Sequence, residues 1–116
     1  MSLTDRIQKA VGGIIPTYGY TPDFRGGGEP ERYIVYTFAE TGADYAEGEN
    51  RVNQYLISLN VFTPPRQLDF PLYERIKQAM YAAGFGYVSG GPAGLSSLYP
   101  GITHYYLDFV GVEERE

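Results

Sequence analysis

Hydrophobic positions along this chain follow two periods, and each period predicts its own kind of element. Leu3, Ile7, Ala10 and Val11 recur at i, i+4, i+7 and i+8, the spacing of one face of a helix. Ser2 or Thr4 can cap its start, Asp5 suits the positive end of the helix dipole, and Gly12-Gly13 stops it. Leu72, Ile76, Ala79, Met80 and Ala83 repeat the helical stripe. Asp69 stands as its cap, Pro71 sits in its first turn and Gly84 ends it. These signals predict a short N-terminal helix and a main helix over about 70–83.

Elsewhere the period falls to two. Residues 33–38 are rich in β-branched and aromatic side chains and read as a strand. Residues 52–62 read as a longer strand, with Tyr55, Ile57, Leu59 and Val61 on one face, opposite Gln54, Ser58 and Asn60. Residues 85–88 form a short strand candidate. Residues 102–112 form the last strand, with Tyr105, Leu107 and Phe109 on one face. The acidic, glycine-dotted segment 40–50 reads as an exposed loop joining the first two strands into an antiparallel hairpin. Residues 14–31 hold three prolines and the run Gly26-Gly27-Gly28, so they read as irregular, with an extended piece at 14–20 and a bend at the triple glycine. Residues 89–94 read as a glycine-rich loop and 113–116 as a charged, frayed tail. The expectation is one α+β domain over 1–116, in the order α-β-β-α-β-β, with an antiparallel or mixed sheet and the main helix packed on one face. Its core should hold Leu72, Ile76, Met80, Tyr55, Ile57, Leu59, Leu107 and Phe109.

Composition narrows the function classes. At 116 residues the chain has room for one core. The hydrophobic fraction of 43% argues against wholesale disorder. With no cysteine, disulfides, thiolate nucleophiles and Cys-ligated zinc are all excluded. Charges at Asp5, Arg6 and Lys9 interrupt the N-terminal stretch, which does not read as a signal peptide, and no run is long enough to span a membrane. The expected compartment is the cytoplasm. A net charge of -5, with only 9 scattered Lys and Arg, gives little to neutralise phosphates, so no nucleic-acid binding is expected. The 12 tyrosines suit either half-buried strands or protein interfaces, since each has an apolar body and a polar tip.

No constellation of side chains points to catalysis. His104 is the sole histidine. Asp108 shares its strand face but lies about 13 Å along the strand, too far for a hydrogen bond. Gly84, Gly86 and Gly90 follow a helix and precede a strand, the reverse of a dinucleotide fingerprint, and no Lys-Ser or Lys-Thr pair completes a phosphate loop. Glu40, Asp44, Glu47 and Glu49 cluster, yet calcium-loop spacing is missing. Ser96 and Ser97 have no neighbouring base. No catalytic residue, cofactor or metal is therefore expected. The candidate functional residues are Glu40, Asp44, Tyr45, Glu47 and Glu49, read as a contact element, because an aromatic residue inside a polar loop suits an interface anchor.

Taken in order, certain pieces resemble a known family. They are Tyr33-Ile34-Val35-Tyr36, then Asn53-Gln54-Tyr55-Leu56-Ile57-Ser58-Leu59-Asn60-Val61-Phe62, then Ala82-Ala83-Gly84-Phe85, then Thr103-His104-Tyr105-Tyr106-Leu107-Asp108-Phe109. Their order and spacing are similar to the small tail-completion or tail-terminator (head-tail joining) proteins of long-tailed bacteriophages and prophages. The segments 26–28 and 89–100 are expanded relative to that pattern. The resemblance implies a virion structural protein without catalytic residues. It implies a homo-oligomeric ring, commonly of six copies, that caps the tail tube and docks to the head. Its partners would be itself, tail-tube proteins and head-completion proteins. It would reside in the host cytoplasm during assembly and then in the virion tail or neck. The alternative is a small non-catalytic interaction or ligand-binding module unrelated to phage.

Overall fold

Helix caps fall where local chemistry places them. The structure, a computed structural model, describes residues 2–20, 31–46, 49–64, 67–93 and 103–114. Helix α1 spans Leu3–Val11, and the Asp5 N–H donates to the Ser2 hydroxyl at 3.1 Å. Leu3, Ile7 and Val11 are buried along its inner face. Helix α2 spans Phe70–Ala82, and the Leu72 N–H donates to Asp69 Oδ1 at 3.2 Å. It stops at Gly84, whose φ of +95° reverses the chain, and Phe85 N–H then returns to Met80 O at 3.0 Å. Arg32 reaches the cap carboxylate, with Nε 3.5 Å from Asp69 Oδ2, and so ties the start of the sheet to the start of α2.

The sheet has five strands: β1 (Thr17–Gly19), β2 (Tyr33–Ala46), β3 (Glu49–Thr63), β4 (Gly86–Pro92) and β5 (Thr103–Glu114). Their order is β1-β2-β3-β5-β4. β1 runs parallel to β2, and every other neighbouring pair is antiparallel. The mixed α+β architecture agrees with the expectation, and β1 occupies part of the extended piece anticipated at 14–20.

Register turns the alternating pattern into a core. Ile34, Val61 and Tyr105 lie in one row across β2, β3 and β5. Tyr36, Leu59 and Leu107 form the next, and Phe38, Ile57 and Phe109 the third. Ile7, Val11, Leu72, Tyr73, Ile76, Met80 and Phe85 belong to the same buried cluster. Of the eight expected core residues, seven are buried and Tyr55 is partly so. Tyr73 joins them unanticipated: its ring stacks on Tyr105 at 3.9 Å and 12°.

The strands are longer than the pattern of apolar residues. Residues 40–46 and 49–50, expected in a loop, are paired strand, through Asp44↔Val52, Tyr45↔Asn50 and Ala46↔Glu49. Bulges between Glu40 and Gly42 and between Asp44 and Tyr45 absorb the irregular spacing. The reason is that a ladder satisfies backbone N–H and C=O groups whatever the side chains are, so a hairpin started by apolar residues continues through polar ones. Ser89–Pro92, expected in a loop, belong to β4, because β5 offers them a template. Gly90 serves close packing: a Cβ there would lie 2.9 Å from both Tyr106 O and Leu107 Cδ2. Glu113 and Glu114, expected to fray, pair with Asn53 and Val52. The triple glycine 26–28 and residues 94–100 lie outside the described residues, as do 115–116. No helix among the described residues is long and apolar enough to cross a membrane.

Candidate assembly surface

The contact residues expected from sequence sit on the far half of the β2–β3 hairpin rather than on a loop. Ile34, Tyr36, Phe38 and Glu40 alternate onto the helix-bearing face, and burial falls along that row: Ile34 and Tyr36 are buried, Phe38 is half-buried and Glu40 is exposed. Beyond Glu40 the strand carries Asp44 and Tyr45, and β3 begins at Glu49. Glu47 lies outside the described residues. Pairing with β5 brings Glu113 and Glu114 alongside, opposite Asn53 and Val52. Register thus gathers Glu40, Asp44, Glu49, Glu113 and Glu114 toward one end of three strands, with Arg51 as their basic neighbour. Sequence reading missed the two C-terminal acids. Their shared charge was visible, but nothing local announces which strand they pair with.

Among the described residues, strand pairing covers the outer edge of β2 over only part of its length. β1 pairs with Ile34, Val35 and Tyr36. Past that point Tyr20 leaves the strand with φ at +59°, an unusual conformation for a bulky residue. Its hydroxyl donates to Phe38 O at 2.8 Å and accepts from Phe38 N–H at 3.4 Å. A side chain thereby replaces a strand for one residue. Among the described residues, no strand lies outside 40–46. The opposite edge of the sheet is β4, whose seven residues carry no charge. Tyr87 and Val88 on it are 46% and 52% exposed. Lys77 of α2 lies 4.4 Å from the centre of the Tyr87 ring. Its amine also donates to Glu74 Oε1 at 3.1 Å, and this bond raises the Lys77 pKa.

The face away from the helices carries a row of rings. Tyr18 meets Tyr33 edge-on at 6.3 Å, Tyr33 stacks on Phe62 at 4.9 Å, and Phe62 stacks on His104 at 4.6 Å. Asn60 Nδ2 donates to Val35 O at 3.1 Å, which turns Oδ1 toward His104. His104 Nε2 is 2.8 Å from that oxygen and therefore carries the proton. Burial lowers the His104 pKa. The partner of His104 is thus Asn60 across the strands, not Asp108 along its own. Parity along each strand could have placed Tyr33, Phe62 and His104 on this face, but not in one row.

On the helix side, Tyr73 and Tyr105 stack beneath the exposed edge of Phe70. The buried Tyr73 hydroxyl has no hydrogen-bond partner among the described residues. Burial raises the Tyr105 pKa, with smaller contributions from Tyr87 and Tyr73. Among the described residues, no three His, Asp or Glu side chains converge as a metal site. The fold and its surface define a two-layer α+β domain with unlike sheet edges. The chain matches no protein-family model and no curated protein.

Proposed function

We propose that this chain is a structural subunit of a phage or prophage tail or neck, forming a ring of like copies that terminates the tail tube and joins it to the head. The observation that carries the reading is the far half of the β2–β3 hairpin, which continues past exposed Glu40 and, among the described residues, has no strand paired to its outer edge. Such an edge is a template for another chain. A ring built head to tail needs two different complementary patches per subunit. The two unlike sheet edges supply them. The order of segments that underlies the resemblance also supports the reading. An acidic balance suits a conduit that must not hold DNA. In this role the chain works with itself, with tail-tube proteins and with head-completion proteins, and it carries no catalytic group.

Light scattering and electron microscopy across protein and salt concentration test the proposal. Salt screens repulsion between negatively charged subunits, so ring-shaped particles should grow in as salt rises. Tyr45→Ala should keep the melting temperature and lose assembly. A chain that stays monomeric at millimolar concentration and high salt overturns the ring. A Tyr45→Ala variant that melts early yet assembles as before places Tyr45 in the fold rather than in the contact.

A further inference from the structure

We propose that copies of this chain stack layer on layer: the outer surface of α2 in one copy packs on the open face of the sheet, away from the helices, in the next. This contact joins faces, so it is separate from the sheet edges of the ring and stands without it. Packing a helix on a sheet already builds the domain itself, and here it recurs between copies.

Both surfaces carry exposed apolar side chains. On the outer surface of α2, Phe70 is 56% exposed and Tyr81 76%, one near each end of the helix, with Glu74, Arg75 and Gln78 exposed between them. On the sheet, Leu107 and Phe109 are buried beneath the helices, so alternation turns Tyr106, Asp108, Val110 and Val112 of β5 to the open face. Val110 and Val112 are 36% and 49% exposed there, and Leu56 of β3 lies opposite Val110. Aromatic residues and Arg are favoured at protein interfaces.

Charge names the occupant. Glu74 pairs with Lys77 of its own helix at 3.1 Å, which leaves Arg75 as the unpaired charge of the outer surface. Among the described side chains of the open face, Asp108 is the one Asp, Glu, Lys or Arg. Neither Arg75 nor Asp108 has a hydrogen bond or ion pair among the described residues. A face with one lone carboxylate fits a surface with one lone guanidinium, and this chain carries both.

Position agrees with charge. α2 runs along β5: Phe70 and Tyr73 touch Tyr105 near its start, and past its end Arg6 joins Ala83 O to Val112 O. Arg75 and Asp108 each sit near the middle of these spans, at about the same level on opposite sides of the domain. A second copy shifted through the thickness of the domain, without rotation, therefore brings its Arg75 onto Asp108 of the first. From that pair Tyr81 lies about 9 Å along at helix rise, and Val110 about 7 Å in the same direction at strand rise. The symmetric contacts lack this match. Helix on helix sets Arg75 near Arg75, and open face on open face sets Asp108 near Asp108. The unrotated contact is heterologous, so it stacks copies in a line rather than closing a pair.

The chain contains no cysteine, so introduced thiols report the contact directly. Gln78→Cys marks the outer surface of α2 and Val110→Cys the open face. Under a short bismaleimide at high protein concentration, the two variant chains mixed should give dimers, and either chain alone should stay monomeric. Dimers from Gln78→Cys alone mean that helix meets helix, and dimers from Val110→Cys alone mean that open faces meet. Either result overturns the proposal, as does a mixture that stays monomeric. Adding Arg75→Glu to the Gln78→Cys chain should lower the dimer yield several-fold with an unchanged melting temperature. Adding Asp108→Arg to the Val110→Cys chain should then restore it. A yield indifferent to Arg75→Glu, or one that the reversed pair fails to restore, overturns the contact.

Discussion

β2, β3 and β5 pass through two regions of the molecule that share a hydrogen-bond ladder and little else. Near the helices each strand contributes an inward apolar residue to every row, and Ile34, Leu59, Ile57 and Phe109 are completely buried. Toward the hairpin tip the next row is Glu40, Tyr55 and Gly111, and acids follow. The first region is held by removal of apolar surface from water, which is the dominant favourable contribution to folding. The second continues the ladder beyond exposed Glu40, and among the described residues no strand pairs with its outer edge. What the difference teaches is that strand length and core length are separate quantities.

The sharpest break would come from the covered region. Ile76 is fully buried between α2 and the sheet. Ile76→Ala should cost about 2–5 kcal/mol in denaturant unfolding. A loss below about 0.5 kcal/mol would put Ile76 on the surface. Gly90→Ala should come next, at about 1–3 kcal/mol, because its Cβ would press on the fixed Tyr106 carbonyl as well as on movable side chains. A neutral result would mean that β4 can shift away from β5.

The tip region should respond weakly. Asp44→Ala or Glu49→Ala should change stability by no more than about 0.5 kcal/mol. At low salt the sign should be stabilising, since each removes one of several gathered negative charges, and the gain should vanish as salt rises. A loss of about 2 kcal/mol from either would show that the tip is packed like the covered half and end the contrast.

The open face supplies the smallest effect. The folded His104 pKa lies below its unfolded value of 6.5 because burial disfavours the charged ring. From pH 6.5 downward the unfolded chain binds the extra proton more readily, so stability falls until pH reaches the folded pKa, and it is level above about pH 7.5. His104→Gln should flatten that slope between pH 7 and 5.5 relative to the parent. Identical slopes would show that His104 titrates as it does in the unfolded chain.

Much of the fold was legible in the residues because the signals are local. Ser2 and Asp69 cap the helices, Gly84 ends one of them, and period-two alternation put Ile57, Leu59, Leu107 and Phe109 inside. Caps and periodicity act within a turn or a pleat, so a linear reading captures them. The candidate surface was legible as residue types, Glu40, Asp44, Tyr45 and Glu49, but not as a shape. Residues 40–46 and 89–92 are strand only because a neighbouring strand satisfies their backbone groups, and that neighbour lies far away in sequence. The same holds for Glu113 and Glu114 beside β3, for Asn60 against His104 and for Tyr73 against Tyr105. Composition and period determined which side chains turn inward. Strand order and register, which depend on pairing between distant residues, decided how far the sheet runs and which residues lie level across it.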